Sequence, residues 1–343
     1  MKKLLNVLYI TSPDTYLSLD GENIVLKHEE KPTARLPLHN LEQIVCFNYQ
    51  GVSPGLMGAC AERNIGLCFV SPGGRFLARV EGRVRGNVLL RKKQYAVSET
   101  EEQSIAIAAS FVLGKISNSR KVLNRAVRGH ALLVDVERLN EVSASLKEML
   151  RQVKACGAVS DLMGYEGNAA RSYFDVFDQM ILQQKEDFHF AGRNRRPPLD
   201  RMNALLSFLY TLLANECASA LETVGLDPYV GFLHQDRPGR PSLALDVMEE
   251  LRPVFADRLA LSMVNLRQVT GSGFVEKESG GILMDDETRK KVLTLWQERK
   301  KDQIVHPFLK EKVNFGLIPY IQALLLARHL RGDLDAYPPF FWN

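Results

Sequence analysis

A histidine followed by three closely spaced carboxylates is a donor set that can hold a hard metal ion. The stretch "GFLHQDRPGRPSLALDVMEELRP", residues 231 to 253, carries His234 in a Pro/Gly-rich loop, then Asp246, Glu249 and Glu250 on a helix-like run. Asp246 and Glu249 form an i, i+3 pair, and Asp246 and Glu250 an i, i+4 pair, so each pair projects near one face of a helix. Leu243, Leu245, Val247, Met248 and Leu251 make much of the rest of that helix apolar, which draws some of the carboxylates inward. Carboxylates held close repel each other unless a cation, a proton or an arginine offsets the charge. Carboxylate oxygens with one imidazole suit Mn²⁺ or Mg²⁺ better than structural zinc. Taken alone, the pattern also fits an ordinary loop entering an ordinary helix, with Ser242 as its cap.

Two other stretches carry chemistry-bearing residues. "DLMGYEGNAARSYF", 161 to 174, places Glu166 between Gly164 and Gly167 at what reads as a helix start, with Asp161 as an earlier cap and Arg171 and Tyr173 following. A glutamate there is favoured by the helix dipole without any further role, while the glycines would permit close backbone approach. "RNRRPPLDR", 193 to 201, holds Arg193, Arg195, Arg196 and Arg201 against Asp200 and breaks at a Pro-Pro pair before an apolar helix. Arginines on a rigid helix entrance can grip phosphates bidentately. The basic run "RFLARVEGRVRGNVLLRKK", 75 to 93, adds concentrated positive charge suited to a nucleic-acid backbone, although the net charge of the chain is only +4.

The elements that must position these residues divide the chain in two. "LNVLYIT", "TYLSL", "NIVLKHE", "ARLPL" and "EQIVCF" are short runs rich in β-branched and aromatic residues, and "DGEN" reads as a tight hairpin turn. Ser53 and Pro54 open one helix over "GLMGACAER" before "IGLCFVS" resumes the sheet. From about residue 100 the apolar spacing changes to i, i+3, i+4, i+7 and holds to the end. The expected architecture is α+β: a β-rich domain over residues 1–95, then a larger α-helical domain over 96–343, with the boundary near 94–103.

At 343 residues, 45% apolar and 24% charged, the chain has the composition of a globular protein with a sizeable core. The opening "MKKLLNVLYITSPDTYLSL" superficially resembles a signal peptide but has no small-residue cleavage site and reads as a first strand. Cys46, Cys60, Cys68, Cys156 and Cys217 form no CxxC pair, which fits buried thiols in a reducing cytoplasm. P-loop, GxGxxG, HExxH and GxSxG signatures are lacking, which removes the usual NTPase, dehydrogenase, zincin and α/β-hydrolase readings.

Together, "GYEGNAARSYF", "RRPPLDRMNALLSFLYTLL", "GLDPYVGFLHQDRPGRPSLALDVMEELRP" and "FLARVEGRVRGNVLLRKKQY" resemble the integrase-endonuclease of CRISPR spacer acquisition, the larger subunit of the adaptation complex. "LHQDRPGRPSLALDVMEELRP" looks like the subtype I-C branch. The resemblance implies a divalent metal, Mg²⁺ or Mn²⁺, held by Glu166, His234 and Glu249. Many relatives have Asp where this chain has Glu249, which leaves Asp246 and Glu250 as alternate or supporting ligands. It implies attack of a DNA 3′-OH on a phosphodiester at the leader–repeat junction, or of water in a nuclease reaction. It also implies double-stranded DNA as partner, a homodimer through the β domain, and a heterohexamer with a small ferredoxin-like adaptation subunit. Arg193, Arg195 and Arg196 are candidates for DNA backbone contacts from their charge alone. Two other readings share parts of the pattern: a metal-dependent nuclease on branched or damaged DNA without integration, and a non-catalytic DNA-binding scaffold whose acids only cap helices.

Overall fold

Strand β1 (Val7–Ile10) lies parallel to β5 (Gln43–Cys46), separated in the chain by an antiparallel meander of β2 (Thr15–Asp20), β3 (Asn23–His28) and β4 (Lys31–Pro37). The computed structural model describes residues 6–29, 31–71, 76–83, 88–195 and 197–342. The expected hairpin forms between β2 and β3, with Gly21 at φ +57°, a left-handed conformation that glycine adopts without a Cβ clash. Helix α1 (Pro54–Arg63) begins as its sequence signals: the Ser53 side chain accepts a hydrogen bond from Leu56 N–H, and Pro54 occupies the first turn. Strands β6 (Gly66–Val70) and β7 (Phe76–Val80) complete a four-stranded sheet in the order β1-β5-β6-β7, with only β7 antiparallel. β5 is buried along its whole length, as a central strand in a parallel arrangement must be. Ile10, Leu17, Ile24, Leu38, Ile44 and Leu56 close the core of this region.

The helical part runs α2 (Val88–Ser98), α3 (Glu101–His130), α4 (Val136–Lys154), α5 (Val159–Asp175), α6 (Arg201–Val224), α7 (Ser242–Arg252) and α8 (Arg258–Asn265). A short hairpin of β8 (Phe274–Glu276) and β9 (Ile282–Met284) precedes α9 (Asp286–Lys301). A second pair, β10 (Gln303–Val305) with β11 (Lys312–Asn314), leads to α10 (Ile318–Arg331). The fold is thus a β-rich N-terminal region followed by a mostly helical C-terminal one. Two compact units cut across that order: Met1–Arg85 with Asp285–Asp302 and Phe315–Leu317, and the remainder. The contiguous 1–95 and 96–343 division therefore differs from the packing, because α9 returns to the first unit while α2 belongs to the second.

In the helical unit, α3 is the central element, about 45 Å long at 1.5 Å per residue, and packs against α4, α5 and α7. Gly114 allows the α3–α7 approach, because a Cβ there would lie 2.6 Å from the Glu250 Cβ. Helix α6 is long and apolar enough to cross a membrane by composition, yet two-thirds of its most apolar window is buried inside the protein, where it packs against α7 and α10. A single turn of π-helix over Pro253–Asp257 joins α7 to α8; the proline ring and its missing N–H favour that irregularity.

Candidate functional site

Asp246 organises the histidine loop. Its carboxylate, fully buried on α7, accepts hydrogen bonds from the backbone N–H groups of Phe232 and Leu233 at Oδ2 (2.7 and 3.0 Å) and of His234 at Oδ1 (3.0 Å). The same Oδ1 is 2.6 Å from His234 Nδ1. A carboxylate acceptor there fixes the tautomer with the proton on Nδ1, so Nε2 carries the ring's available lone pair. Gly231 makes the wrap possible: a Cβ there would lie 2.8 Å from the His234 carbonyl oxygen and 3.0 Å from Asp246 Oδ2. Upstream, the buried Gln94 of α2 donates to the carbonyls of Asp227 and Val230 (2.8 and 2.9 Å) and accepts from Asp227 N–H (2.9 Å), which ties down the entry to the loop. The expected Ser242 cap is not formed. Ser242 is already the first residue of α7, and its hydroxyl donates instead to the Gln235 carbonyl at 3.1 Å, bracing the loop.

Glu166 and Glu249 meet at one ammonium group. Lys115, on α3 and only 7% exposed, ion-pairs with Glu166 Oε1 of α5 and lies 2.6 Å from Glu249 Oε2 of α7. The other Glu249 oxygen, Oε1, is 3.0 Å from the Arg252 guanidinium one turn later on the same helix. Burial alone would raise the Glu249 pKa, but Arg252, Lys115 and His234 together outweigh it and hold the carboxyl down at about 2. The structure therefore gathers Glu166 and Glu249 around one cation, while Asp246, one helical turn before Glu249 on α7, orients His234.

Among the described residues, no three His, Cys, Asp or Glu side chains are already spaced as a metal-binding group. The donor set nevertheless suits a divalent ion. Glu249 Oε2 is buried, and apart from the ammonium 2.6 Å away it has no partner. A positive group already stands between the two carboxylates, and the oxygen–oxygen–imidazole combination matches Mg²⁺ or Mn²⁺.

Glu166 is not at a helix start. It lies in the middle of α5, which begins at Val159, so the helix dipole does not explain it. The flanking Gly164 and Gly167 have open space where a Cβ would be, so close backbone approach is not their role here.

Glu250 faces away from this cluster. Its Oε1 accepts from Tyr337 Oη and from Gln322 Nε2 (3.1 Å), and its Oε2 from Phe340 N–H (2.6 Å), so it anchors the C-terminal segment. Asn118 of α3 reinforces that anchor through the carbonyls of Glu250 (2.7 Å) and Phe340 (2.8 Å). Successive residues on a helix point about 100° apart, so Glu249 and Glu250 cannot serve the same site. Burial raises the Glu250 carboxyl from 4.5 to about 7, against the lowering effect of those three donors. Because the folded value exceeds the unfolded one, stability falls as pH rises from about 4.5 to about 7 and is flat above. We expect Glu250→Gln to remove up to roughly 3 kcal/mol of this pH dependence. Urea midpoints at pH 5 and pH 8 check it; parallel pH profiles for the two proteins would contradict it.

The basic loop also divides. Arg193 is turned inward: it bonds Asn203 Oδ1 (2.6 Å) and Ser207 Oγ (3.0 Å) and lies over the Tyr210 ring, which Arg252 covers as well. Its guanidinium is a structural brace rather than a free phosphate grip. Arg195 is exposed, and Arg196 lies outside the described residues. A separate cleft of about 780 Å³ is lined by Arg125, Arg128, His130 and Arg258 among apolar side chains, and none of Glu166, His234 or Glu249 reaches it.

Lys115 and Arg252 were not legible as site residues. One signal was available: in "SFVLGKISNS", Lys115 falls four residues after Phe111 and three after Val112, on the apolar stripe of α3, where a lysine needs a partner.

The chain is similar to known proteins along its whole length. The family model described as "CRISPR associated protein Cas1" matches residues 8–298. A CRISPR-associated endonuclease Cas1 of Rhodospirillum rubrum is 54% identical, and one of Chlorobaculum tepidum 46%, each alignment covering all of both chains. A solved Cas1 protein from Thermotoga maritima, 26% identical, superposes with a TM-score of 0.83 over 97% of this chain and 99% of that one. A casposase bound to integration product shares the fold at TM-score 0.85 and 20% identity, covering 99% of this chain and 95% of that one. An acidic pair gathered on one cation, and an imidazole oriented by Asp246 of the same helix as Glu249, thus belong to a chain that is a member of the Cas1 family of CRISPR-associated endonucleases.

Proposed function

We propose that this chain is a divalent-metal-dependent DNA integrase and endonuclease of CRISPR adaptation, with Glu166, His234 and Glu249 as its metal ligands. The observation that carries the reading is the convergence of Glu166 and Glu249, from α5 and α7, on one buried position. Mg²⁺ or Mn²⁺ bound there would lower the pKa of the attacking hydroxyl and offset charge on the phosphate. The chain's own residues do the rest. Glu249, held near 2, stays ionised throughout the working range. Asp246 keeps the His234 proton on Nδ1, so the imidazole acts as a neutral ligand rather than a free base. Arg252 pins the far oxygen of Glu249 and limits its rotation.

In the integrase reaction a DNA 3′-OH is the nucleophile, and the phosphodiester at the leader–repeat junction exchanges one ester bond for another. With water in its place the same centre cleaves DNA. The relatives' description as endonucleases favours keeping this second outcome. Family membership supports the wider assembly we propose: double-stranded DNA, a homodimer through the β-rich region, and a heterohexamer with a small ferredoxin-like subunit; the subtype I-C branch is proposed from the stretch "LHQDRPGRPSLALDVMEELRP" alone. Arg195 is the one described residue of the 193–196 basic cluster left exposed for a backbone contact.

The test is strand transfer of a short duplex with 3′-OH ends into a supercoiled plasmid carrying a repeat. It should yield joined product with Mn²⁺ and none with EDTA or with His234→Ala. Product that survives EDTA would overturn the metal mechanism. Cleavage without joining, unaffected by the small subunit, would instead identify a general nuclease.

A further inference from the structure

We propose that Lys115 is a tethered competitor for the divalent cation: its ammonium holds Glu166 and Glu249 together when no metal is bound, and metal entry must displace it. This rests on the metal-site reading above and adds a residue to it. The geometry is specific. One ammonium contacts an oxygen of each carboxylate, and its side chain is 8% exposed, against 22% for Glu166 and 2% for Glu249. Two carboxylates brought together from different helices repel unless a cation or a shared proton offsets their charge, and here the Lys115 ammonium stands between them. Arg252 does not serve instead: among the described residues its ion pair is with Glu249 Oε1 and not with Glu166. Glu249 Oε2 lies 2.6 Å from the ammonium and has no other hydrogen-bond partner, so a small divalent ion that takes the ammonium's place replaces the one contact this oxygen makes. Lys115 is thus a positioning residue: it keeps the two carboxylates gathered and sets how strongly a metal must bind to enter.

The consequence is a variant that binds metal better while folding worse without it. Lys115→Met removes the competitor and keeps the aliphatic stem. Mn²⁺ binding to the DNA-free protein, read from the loss of the free-ion EPR signal, is expected to tighten at least about tenfold, whereas Lys115→Arg, which keeps the charge, stays near wild type. In EDTA the Lys115→Met protein melts lower than wild type, and Mn²⁺ raises its melting temperature more than it raises that of wild type. Lys115→Gln provides a second neutral variant should the methionine protein not fold without metal. Mn²⁺ affinity unchanged or weaker in both neutral variants would overturn the proposal. The same titration on Glu249→Gln and His234→Ala separates the two ideas. If neither loses Mn²⁺ affinity, the metal centre itself is wrong; if both do while the neutral Lys115 variants fail to tighten, only the competitor role is.

Discussion

Glu249→Gln is expected to lower strand transfer and DNA cleavage by roughly a thousandfold while the helical unit still folds. The size follows from the loss of charge stabilisation at the reacting phosphate, for which removal of a single stabilising group costs about 10²–10³ in rate. Glutamine is the informative choice. It fills the same volume, and its carbonyl can still accept from Arg252, so the buried guanidinium is not left bare; alanine would strand Arg252 at roughly 3–5 kcal/mol, while Lys115 would keep Glu166. The measurement is single-turnover joining and nicking under saturating Mn²⁺, with circular dichroism as the folding control. A fall of less than tenfold would move the essential carboxylate elsewhere, with Asp246 the alternative that sequence left open. Geometry argues against that alternative: both Asp246 oxygens already serve the histidine loop.

The second large effect is on stability. Asp246→Ala should cost about 4 kcal/mol or more, because three backbone N–H groups and the His234 ring lose their common acceptor in a buried place, at about 1–3 kcal/mol for each orphaned donor. Against a domain stability of about 5–15 kcal/mol, that is a large share. Asp246→Asn is expected to be milder in stability, since its amide oxygen can still accept, yet it places an NH₂ against donors and loses the charge that fixes the imidazole. Metal affinity in this variant should fall about 10- to 100-fold, as when a carboxylate supporting a ligating histidine is removed. Urea denaturation of both variants and Mn²⁺ titration of the asparagine protein provide the two readouts. A loss under 1 kcal/mol in the alanine variant would mean that the loop from 231 to 234 holds its shape without Asp246.

Much of the fold was legible because its signals are local. The β2–β3 hairpin announces itself in "DGEN", α1 in Ser53 and Pro54, and the helical unit in its apolar spacing. Strand order is not local. Nothing in the short run "EQIVCF" says that β5 will lie between two parallel partners, since pairing depends on segments some 20 to 35 residues away. The return of α9 to the N-terminal unit escaped a contiguous reading for the same reason.

The site divides along the same line. From the sequence by itself came the candidate donors, Glu166, His234 and Glu249, and the resemblance that joins them. Helical spacing also made Asp246 a neighbour of Glu249. Only tertiary structure decided what each carboxylate does: Asp246 turns to the histidine loop, Glu250 to the C-terminal segment, and Glu249 to Lys115 and Arg252. It also withdrew Arg193 into a brace against α6. The reason is physical. A side chain's type and helical phase are fixed by its own few residues, whereas burial, charge partners and hydrogen-bond acceptors are supplied by segments that come near only when the chain is folded.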